Sequence, residues 1–318
     1  MSTHENHMRH ALSLANRALG HVAPNPAVGC VVVKNDIVIG RGWTQDGGRP
    51  HAETEALKKA GNNAKGATVY VTLEPCSHHG QTPPCAEAII KAKVTHVVIA
   101  CIDPNPKVSG KGIVMLKDAG IDVTKNVCEK EAQALNAGFF LSLGQNRPFV
   151  TLKLATSKDY KIAVQGERTQ ISGPVAQRYT HLLRSKHDAI MVGANTARID
   201  NPKLTTRING YEHFIKRIIL DAETFADPYN LKPVLAQIAE EGITRLLIEG
   251  GAKVMSSFLE SGLYDEFQWL KAPITIGDRG VEALHNHNIS NISANFGLEL
   301  QKTRHLGEDL LEIYRPKA

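Results

Sequence analysis

Short apolar strands alternate with amphipathic helices along this chain of 318 residues, and that alternation limits the possible folds more than any other feature. Apolar side chains recur at helical spacing over residues 6–19, and two strands joined at Asn35-Asp36 then predict a hairpin. The elements predicted next are helices at 51–61, 84–93 and 112–119 and strands at 68–73 and 96–102. Strands that alternate with helices predict an α/β sandwich, in which helices pack on a central sheet.

A polar stretch at residues 144–148 carries a glycine and a proline and interrupts this alternation. The strands predicted after it lie at 149–155, 189–192, 217–220, 245–249, 267–271 and 309–314, and the helices at 174–185, 231–241 and 252–261. A chain of this length has room for two domains of roughly 100–200 residues each. We therefore predict two α/β domains, residues 1–146 and 147–318.

The net charge of +5 is spread along the chain, without a run of five or more basic residues. This argues against a nucleic-acid arm or a membrane patch, whereas a small phosphorylated substrate needs only a local cluster of Lys or Arg. The apolar runs fall far short of the ~20 residues of a spanning helix, and the N-terminal residues do not read as a signal peptide. Five cysteines, an odd number, fit a reducing compartment better than a disulfide framework. We expect a cytoplasmic protein that binds neither nucleic acid nor membranes.

One histidine and two cysteines form the strongest chemical signal in the sequence. His51, Cys76 and Cys85 make a soft ligand set that suits zinc, and three protein ligands leave the fourth position to water, as in catalytic sites. Both cysteines follow a proline, and Cys85 falls in the first turn of a predicted helix, where the helix dipole lowers a thiol pKa. His51 also opens a predicted helix, so two positive helix ends are expected to face one zinc ion per chain.

Glu53 lies two residues after the histidine and distinguishes a deaminase from a plain zinc site. Zinc makes hydroxide available near neutral pH, and a carboxylate beside the metal can carry a proton from water to a ring nitrogen and to the leaving ammonia. A His-x-Glu element followed by a Pro-Cys element is typical of zinc deaminases, although eight residues separate the cysteines here. We therefore predict deamination of a nucleobase-like ring. Cys30, Cys101 and Cys128 lie in or beside apolar strands and are expected in the core.

Several motifs, in order over nearly the whole chain, resemble the bifunctional riboflavin-biosynthesis deaminase–reductase family. In the first half they are Pro24–Gly29, His51–Glu53, Glu74–Gly80, Thr82–Cys85 and Asp103–Pro106. In the second half they are Leu152–Ala155, Asp200–Thr205 and Glu249–Ala252. The long spacing between the two ligand cysteines is also characteristic of this family.

The resemblance implies a cytidine-deaminase-like three-layer sandwich followed by a dihydrofolate-reductase-like α/β domain. It implies two successive reactions of riboflavin biosynthesis. In the first, a diamino-ribosylamino-pyrimidinone phosphate loses an exocyclic amine as ammonia. In the second, NADPH reduces the ribosyl group to ribityl. A phosphorylated pyrimidine is then the small-molecule partner, and we expect a homo-oligomer.

The resemblance also assigns site residues by position. In the deaminase half, substrate-binding residues are Asn25, His78, Asp103 and Asn105. In the reductase half, substrate-binding residues are Arg168, Arg184, Leu204, Arg207 and Glu249. The expected NADPH contacts are Ala155, Gln170, Thr196, Asp200, Gly251, Ala252, Lys253, Val254, Met255, Ser256 and Ser257. The expected catalytic residues are Glu53, Asp200 and Lys153. Lys153 lies in an apolar strand, so it is either an edge residue that snorkels to the surface or a polar group that points at the substrate.

Three departures from the family pattern bear on these assignments. Thr44 stands where the family usually has histidine, and Gln81 where it has Lys or Arg, so ring or phosphate contacts there are weaker or supplied differently. The stretch 167–170 replaces the usual Glu-Ser-Gln-Trp, which leaves its substrate and cofactor contacts open.

A fourth departure is a short connection in the second half. In the family, several dozen residues, including another strand, follow the strand that matches Arg217–Asp221, whereas only Ala222–Asn230 precede the next helix here. Either a piece of the reductase sheet is lost, which would put reductase activity in doubt, or residues are omitted from the sequence. We expect the omission, because a lost strand would expose an unpaired edge beside the cofactor.

Two rival functions stay open at this point. One is a cytidine or transfer-RNA deaminase with an appended domain, against which the cysteine spacing and the lack of a basic stripe argue. The other is a zinc-stapled nucleotide-binding module without catalysis, which needs a fourth protein ligand. His78 or His79 could supply that ligand.

Overall fold

The computed structural model describes residues 3–80, 83–105, 109–167, 169–200, 203–208 and 214–317, and for residues 199 and 200 the backbone alone. The chain divides into two compact units, Met1–Gln145 and Asn146–Ala318. No described helix is long and apolar enough to cross a membrane.

The first unit holds a mixed five-stranded sheet with helices on both faces. Its strands are β1 (Gly29–Lys34), β2 (Ile37–Trp43), β3 (Thr68–Val71), β4 (His96–Ile99) and β5 (Asp122–Thr124). Its helices are α1 (Thr3–Ala18), α2 (Ala52–Ala60), α3 (Cys85–Lys91), α4 (Lys111–Asp118), α5 (Glu129–Leu135) and α6 (Ala137–Gln145). The sheet order is β2-β1-β3-β4-β5, with β1 antiparallel to its neighbours and β3, β4 and β5 parallel.

Glycines in β1 and β2 let the two helices that flank the sheet approach it closely. A Cβ on Gly42 would lie 2.1 Å from the carbonyl oxygen of Ala52 in α2, and a Cβ on Gly29 would lie 1.9 Å from that of Ala11 in α1. Gly42 pairs with Cys30, the residue after Gly29. Because successive residues of a strand face opposite ways, α1 and α2 cover opposite faces, which makes a three-layer sandwich.

The second unit is a seven-stranded sheet in the order β13-β14-β11-β6-β10-β8-β9, with a separate two-stranded sheet of β7 and β12. Its strands are β6 (Phe149–Thr156), β7 (Lys161–Val164), β8 (Ala189–Gly193), β9 (Lys216–Leu220), β10 (Arg245–Ile248), β11 (Glu266–Lys271), β12 (Gly280–Glu282), β13 (Leu298–Leu306) and β14 (Asp309–Pro316). Its helices are α7 (Pro174–Arg184), α8 (Ala194–Asp200), α9 (Leu231–Glu240), α10 (Ala252–Ser261) and α11 (Ile292–Phe296). The strands from β11 to β9 are parallel, so their carboxyl ends share one edge of the sheet.

The predicted elements are present within a few residues of their expected bounds, but several others were not predicted. These are β5, α5 and α6 in the first unit and β7, α8, β12, α11 and β13 in the second. Strand β13 shows why: its residues between Leu298 and Leu306 are exposed, so they carry no apolar alternation to read. Cys30 and Cys101 are buried as expected, whereas Cys128 is half-buried at the start of α5.

The connection between β9 and α9 is short, and the expected omission of residues from it stays a prediction. Phe225 donates its backbone N–H to the carbonyl of Asp221 at 3.1 Å, and Asn230 donates to that of Asp227 at 3.3 Å. Two hydrogen-bonded turns therefore join the strand directly to the helix. In the sheet formed by the described residues, β9 is an edge strand.

Candidate active sites

The three predicted zinc ligands meet at the ends of three elements in the first unit. His51 is the N-cap of α2 in extended conformation, Cys85 is the first residue of α3, and Cys76 lies in the loop that follows β3. Their ligand atoms all lie within 4.8 Å of one another. Among the described residues this is the one such group of three or more His, Cys, Asp or Glu side chains.

The spacing of the three ligand atoms fits a tetrahedral zinc ion. Nδ1 of His51 lies 3.3 Å from Sγ of Cys85 and 3.7 Å from Sγ of Cys76. With Zn–S bonds near 2.3 Å and Zn–N bonds near 2.0 Å, the ligand atoms of a tetrahedral zinc site lie roughly 3.5 Å from one another. His79 is exposed, and its Nε2 lies 3.4 Å from the carboxylate of Glu87 instead. The described residues therefore offer three ligands and leave a fourth position for water, which argues against a closed structural site.

Glu53 lies in the first turn of α2 beside the ligands, with only 4% of its surface exposed. Burial, with the neighbouring Cys76 thiolate, raises the pKa of its carboxyl to about 7. Hydrogen bonds lower the pKa of the Cys76 thiol to about 4, the largest from the Cys85 thiol. The backbone N–H of Cys85 also donates to Sγ of Cys76 at 3.2 Å. A carboxyl poised near neutrality beside a stabilised thiolate suits proton transfer next to a metal.

The loop that carries Asn25 is held by two polar side chains. Asn136 accepts the N–H of Ala27 at 2.9 Å and donates to its carbonyl at 3.0 Å. The Thr44 hydroxyl accepts the N–H of Val28 at 3.0 Å and donates to the carbonyl of Pro26 at 3.2 Å. Thr44 is buried, so its hydroxyl supports the backbone of this loop. The sequence reading considered Thr44 only as a weaker ligand contact and missed Asn136.

Gly48 fixes the position of the Asn25 side chain. Its φ of 87° lies in the left-handed region, and a Cβ there would lie 2.0 Å from Nδ2 of Asn25. Only glycine therefore fits beside Asn25 in this turn. The pair Gly47-Gly48 before His51 is the sequence signal that could have revealed this contact.

Asp103, Asn105 and His78 lie in the loops on the same side of the first unit. Asp103 is buried, which raises the pKa of its carboxyl, while the backbone N–H of Asn105 donates to it at 2.8 Å and His78 lowers that pKa. His78 itself is exposed. Glu74 anchors these loops, because its carboxylate accepts the N–H groups of Gly110 and Gly112, both at 3.0 Å. Gln81 lies outside the described residues.

A cavity of 1180 Å³ opens at the carboxyl ends of the parallel strands in the second unit. The sequence-predicted residues that line it are Lys153, Ala155, Gln170, Arg184, Thr196, Leu204, Glu249, Gly251, Ala252, Lys253, Val254 and Ser257. Parallel α/β sheets bind ligands at this edge.

Lys153, Arg184 and Glu249 form an ion cluster on one wall of the cavity. Arg184 donates to both carboxylate oxygens of Glu249, at 2.7 and 2.8 Å, and Nζ of Lys153 lies 3.9 Å from the same carboxylate. The Lys153 side chain is only 13% exposed. Burial lowers its pKa below the ordinary lysine value, an effect that Glu249 opposes. Lys153 therefore points into the cavity and does not snorkel to the surface.

The turn between β10 and α10 places a helix N-terminus at the cavity wall. A Cβ on Gly250 would lie 2.8 Å from Cβ of Val254, and a Cβ on Gly251 would lie 3.4 Å from the Thr196 hydroxyl. These glycines bring the backbone close to the cavity, where the N–H groups of Ala252 and Lys253 open the helix. Such a backbone fits the diphosphate of a dinucleotide.

Several predicted residues of this site lie elsewhere or are not described. Met255 and Ser256 do not line the cavity, because both are buried within α10, where Met255 packs in the core and Ser256 hydrogen-bonds with the backbone of His285. Arg207 is exposed and lies beside His181, outside the lining. Arg168 lies outside the described residues. Asp200 ends α8, and its side chain is likewise outside the description.

The structure adds lining residues that the sequence reading missed. The two-stranded sheet of β7 and β12 contributes Ile162, Val164 and Val281 to the cavity. The connection after β9 contributes Asp221 and Tyr229. Neither segment carries a motif, so only their place at the edge of the sheet reveals them.

Each half of the chain matches the model of a known protein family. Residues 1–101 match the cytidine and deoxycytidylate deaminase zinc-binding region, and residues 148–311 match the RibD C-terminal domain. The riboflavin biosynthesis protein RibD of Aquifex aeolicus is 38% identical over 356 aligned positions, which cover 98% of each chain. That of Escherichia coli K12 is 34% identical over 359 positions, covering 96% of this chain and 97% of its own. Both alignments exceed 318 positions, so both relatives carry residues that this chain lacks.

Solved structures agree over the whole chain. Acinetobacter baumannii RibD superposes with a TM-score of 0.88 at 35% identity, covering 99% of both chains. A diaminohydroxyphosphoribosylaminopyrimidine deaminase/5-amino-6-(5-phosphoribosylamino)uracil reductase from Thermotoga maritima superposes with a TM-score of 0.88 at 31% identity, with the same coverage. The predicted fold classes, a cytidine-deaminase-like sandwich and a dihydrofolate-reductase-like α/β domain, are confirmed.

Proposed function

The chain belongs to the family of bifunctional riboflavin-biosynthesis deaminase–reductases, and from that premise we propose which of its residues carry each reaction. The protein is a hydrolase and an oxidoreductase in one chain, with zinc in its deaminase part and NADPH as reductant. It deaminates the diaminohydroxyphosphoribosylaminopyrimidine and then reduces the ribosyl group of the product to ribityl. We assign the first reaction to residues 1–146 and the second to residues 147–318.

The zinc cluster with Glu53 is the observation that carries the deaminase assignment. His51, Cys76 and Cys85 would hold the zinc ion, which would supply an activated water for attack on the ring carbon that bears the amine. The Glu53 carboxylate takes a proton from this water and delivers it to the ring nitrogen, and a second transfer lets the C–N bond break with release of ammonia.

Asn25 and Asp103 are the groups that we expect to hold the pyrimidine edge. Asn25 is fixed by Gly48, and its loop is braced by Asn136, so the amide is presented with little freedom. Asp103 is anchored by the N–H of Asn105. Groups that are positioned before the substrate binds lose little entropy on binding.

Arg49, close to Gly80 and His51, offers a cation for the substrate phosphate. A Cβ on Gly80 would lie 3.6 Å from Nη2 of Arg49. The pKa of His51 is raised, mainly by its hydrogen bond with Cys76, and the charge of Arg49 opposes that shift. We expect Arg49→Ala to raise KM for the phosphorylated substrate and to leave the smaller activity on the dephosphorylated compound unchanged. Equal losses on both compounds would refute a phosphate contact.

The ion cluster and the α10 N-terminus carry the reductase assignment. NADPH supplies a hydride when bound, and the N–H groups at the start of α10 fit its diphosphate. That hydride would go to C1′ of the ribosyl group, and O4′ would need a proton as the C1′–O4′ bond opens. We assign this proton to Lys153, which Glu249 holds in place, while Arg184 orients that carboxylate through two hydrogen bonds.

One experiment tests both assignments. The purified chain is analysed for zinc, and ammonia release and NADPH oxidation are measured on the pyrimidine phosphate and, in parallel, on cytidine. We expect one zinc per chain, ammonia from the pyrimidine phosphate alone, and NADPH oxidation after ammonia release. Ammonia released from cytidine at a comparable rate would favour the rival deaminase function.

We further propose a cytoplasmic homo-oligomer. All five cysteines are unpaired in the structure, as a reducing compartment requires. Val175 and Leu182 lie on one exposed face of α7, and Leu300 of β13 is exposed as well, which are surfaces that a second copy could cover. Light scattering coupled to gel filtration tests this, and a monomer at all concentrations would refute it.

A further inference from the structure

The short connection between β9 and α9 presents an aromatic ring to the reductase cavity. Tyr229 lines that cavity, together with Pro228 and Asp221, and yet 93% of its surface is exposed. An aromatic side chain this exposed contributes little packing to the fold, and its place in the cavity lining puts its ring within reach of a bound ligand.

The loop that carries Tyr229 is anchored on both sides. Phe225 and Leu231, which flank it, are buried in the core of the unit. Between them, the carboxylate of Asp227 accepts the N–H of Tyr229 at 3.0 Å, and Pro228 restricts the turn. The backbone of Tyr229 is therefore held in place although its ring lies open.

The order of the strands places Tyr229 far from the reacting end of the cavity. Lys153 lies on β6, Glu249 follows β10, and Tyr229 belongs to the connection that follows β9, in a sheet ordered β6-β10-β8-β9. Neighbouring strands lie about 4.8 Å apart, so three strand spacings amount to roughly 14 Å. The start of α10, where the diphosphate fits, lies between these two ends.

A dinucleotide has to span this distance with its reactive ring at one end. The nicotinamide must lie beside the ribosyl group and hence near Lys153, because the hydride passes directly between them. With the diphosphate at α10, the other half of the cofactor extends along the strand ends toward β9. We propose that Tyr229 stacks on the adenine of NADPH. This inference rests on the proposed reductase function of the second unit.

The test measures NADPH binding without turnover. Binding to the full-length chain is followed by the change in NADPH fluorescence, for the wild type, Tyr229→Ala, Tyr229→Phe and the control Phe214→Ala. Phe214 is matched in exposure, at 94%, but does not line the cavity. Because stacking on an aromatic side chain contributes substantially to the binding of a base, we expect Tyr229→Ala to weaken NADPH binding about tenfold. Tyr229→Phe and Phe214→Ala should bind as the wild type does.

A fragment of the cofactor locates the contact. Adenosine 2′,5′-bisphosphate, which lacks the nicotinamide, is titrated as a competitor of NADPH, and its affinity should fall in Tyr229→Ala by the same factor. Unchanged NADPH affinity in Tyr229→Ala, or loss of NADPH affinity without loss of fragment affinity, overturns the proposal. A wild type that does not bind NADPH at all would instead refute the reductase assignment on which the proposal rests.

Discussion

Cys85 donates its backbone N–H to Sγ of Cys76 at 3.2 Å, so the first N–H of α3 stabilises the thiolate of the other cysteine ligand. The two cysteines are far apart in sequence for a zinc pair, and this bond shows how the fold brings them together. The N-terminus of α3 supplies one ligand, Cys85, and its N–H stabilises the charge on the other, Cys76. The metal site is therefore formed by an element boundary and not by a local motif.

Glu53→Gln should separate metal binding from catalysis. The substituted amide cannot carry a proton, whereas the three ligands are untouched, so we expect zinc content to stay at one per chain and ammonia release to fall by about 10²–10⁴. Zinc is measured by atomic emission on the dialysed protein. The half-buried Glu55→Gln on the same helix is the control and should keep full activity. Loss of zinc from Glu53→Gln would contradict this separation of roles.

Gly42→Ala should destabilise the first unit and shift the helix that carries His51 and Glu53. The added methyl would lie 2.1 Å from the carbonyl oxygen of Ala52, so α2 must move away from β2 at a cost of roughly 1–3 kcal/mol. In a Trp269→Phe background, Trp43 is the tryptophan left and reports the unfolding of this unit in urea.

Gly144→Ala is the matched control for that substitution. Gly144 lies in α6, and a Cβ there meets no other atom within 4 Å, so alanine should leave stability unchanged or raise it slightly. Equal unfolding midpoints for the Gly42 and Gly144 variants would show that the close approach of α2 to β2 does not matter.

The sequence predicted that His51, Cys76 and Cys85 would come together, because few residue types suit a zinc ion and these three stood at the ends of predicted elements, and the structure does bring their ligand atoms together. The sequence also drew attention to Lys153 and Glu249, because a charged residue within an apolar strand or at its end indicates a specific role. The role of Asn136 could not be predicted in this way. Its side chain hydrogen-bonds with the backbone of Ala27, 109 positions away, and no local sequence pattern indicates such a contact. Met255 and Ser256 were assigned by position alone, which takes no account of the turn of the helix that directs their side chains inward, away from the cavity lining.

Reductase activity should fall at alkaline pH as Lys153 loses its proton. Burial lowers its folded-state pKa below 10.5, so the ammonium that donates the proton is lost as pH rises through this lowered value. The rate of NADPH oxidation on the deaminated substrate is measured against pH for the wild type and for Lys153→Arg. The arginine variant keeps a cation, so its alkaline limb should move to higher pH. A limb at the same pH in both proteins would mean that another group titrates.

The two activities should be separable by single substitutions, since each unit has its own hydrophobic core and its own site residues. Cys85→Ser removes a zinc ligand, so ammonia release should disappear while NADPH oxidation on the already deaminated substrate continues at the wild-type rate. Lys153→Met replaces the proposed proton donor with an apolar side chain of similar length, so it should do the reverse. Both variants are compared by circular dichroism to confirm that they are folded. If either folded variant loses both activities, the two sites depend on each other and the assignment of one reaction to each unit is wrong.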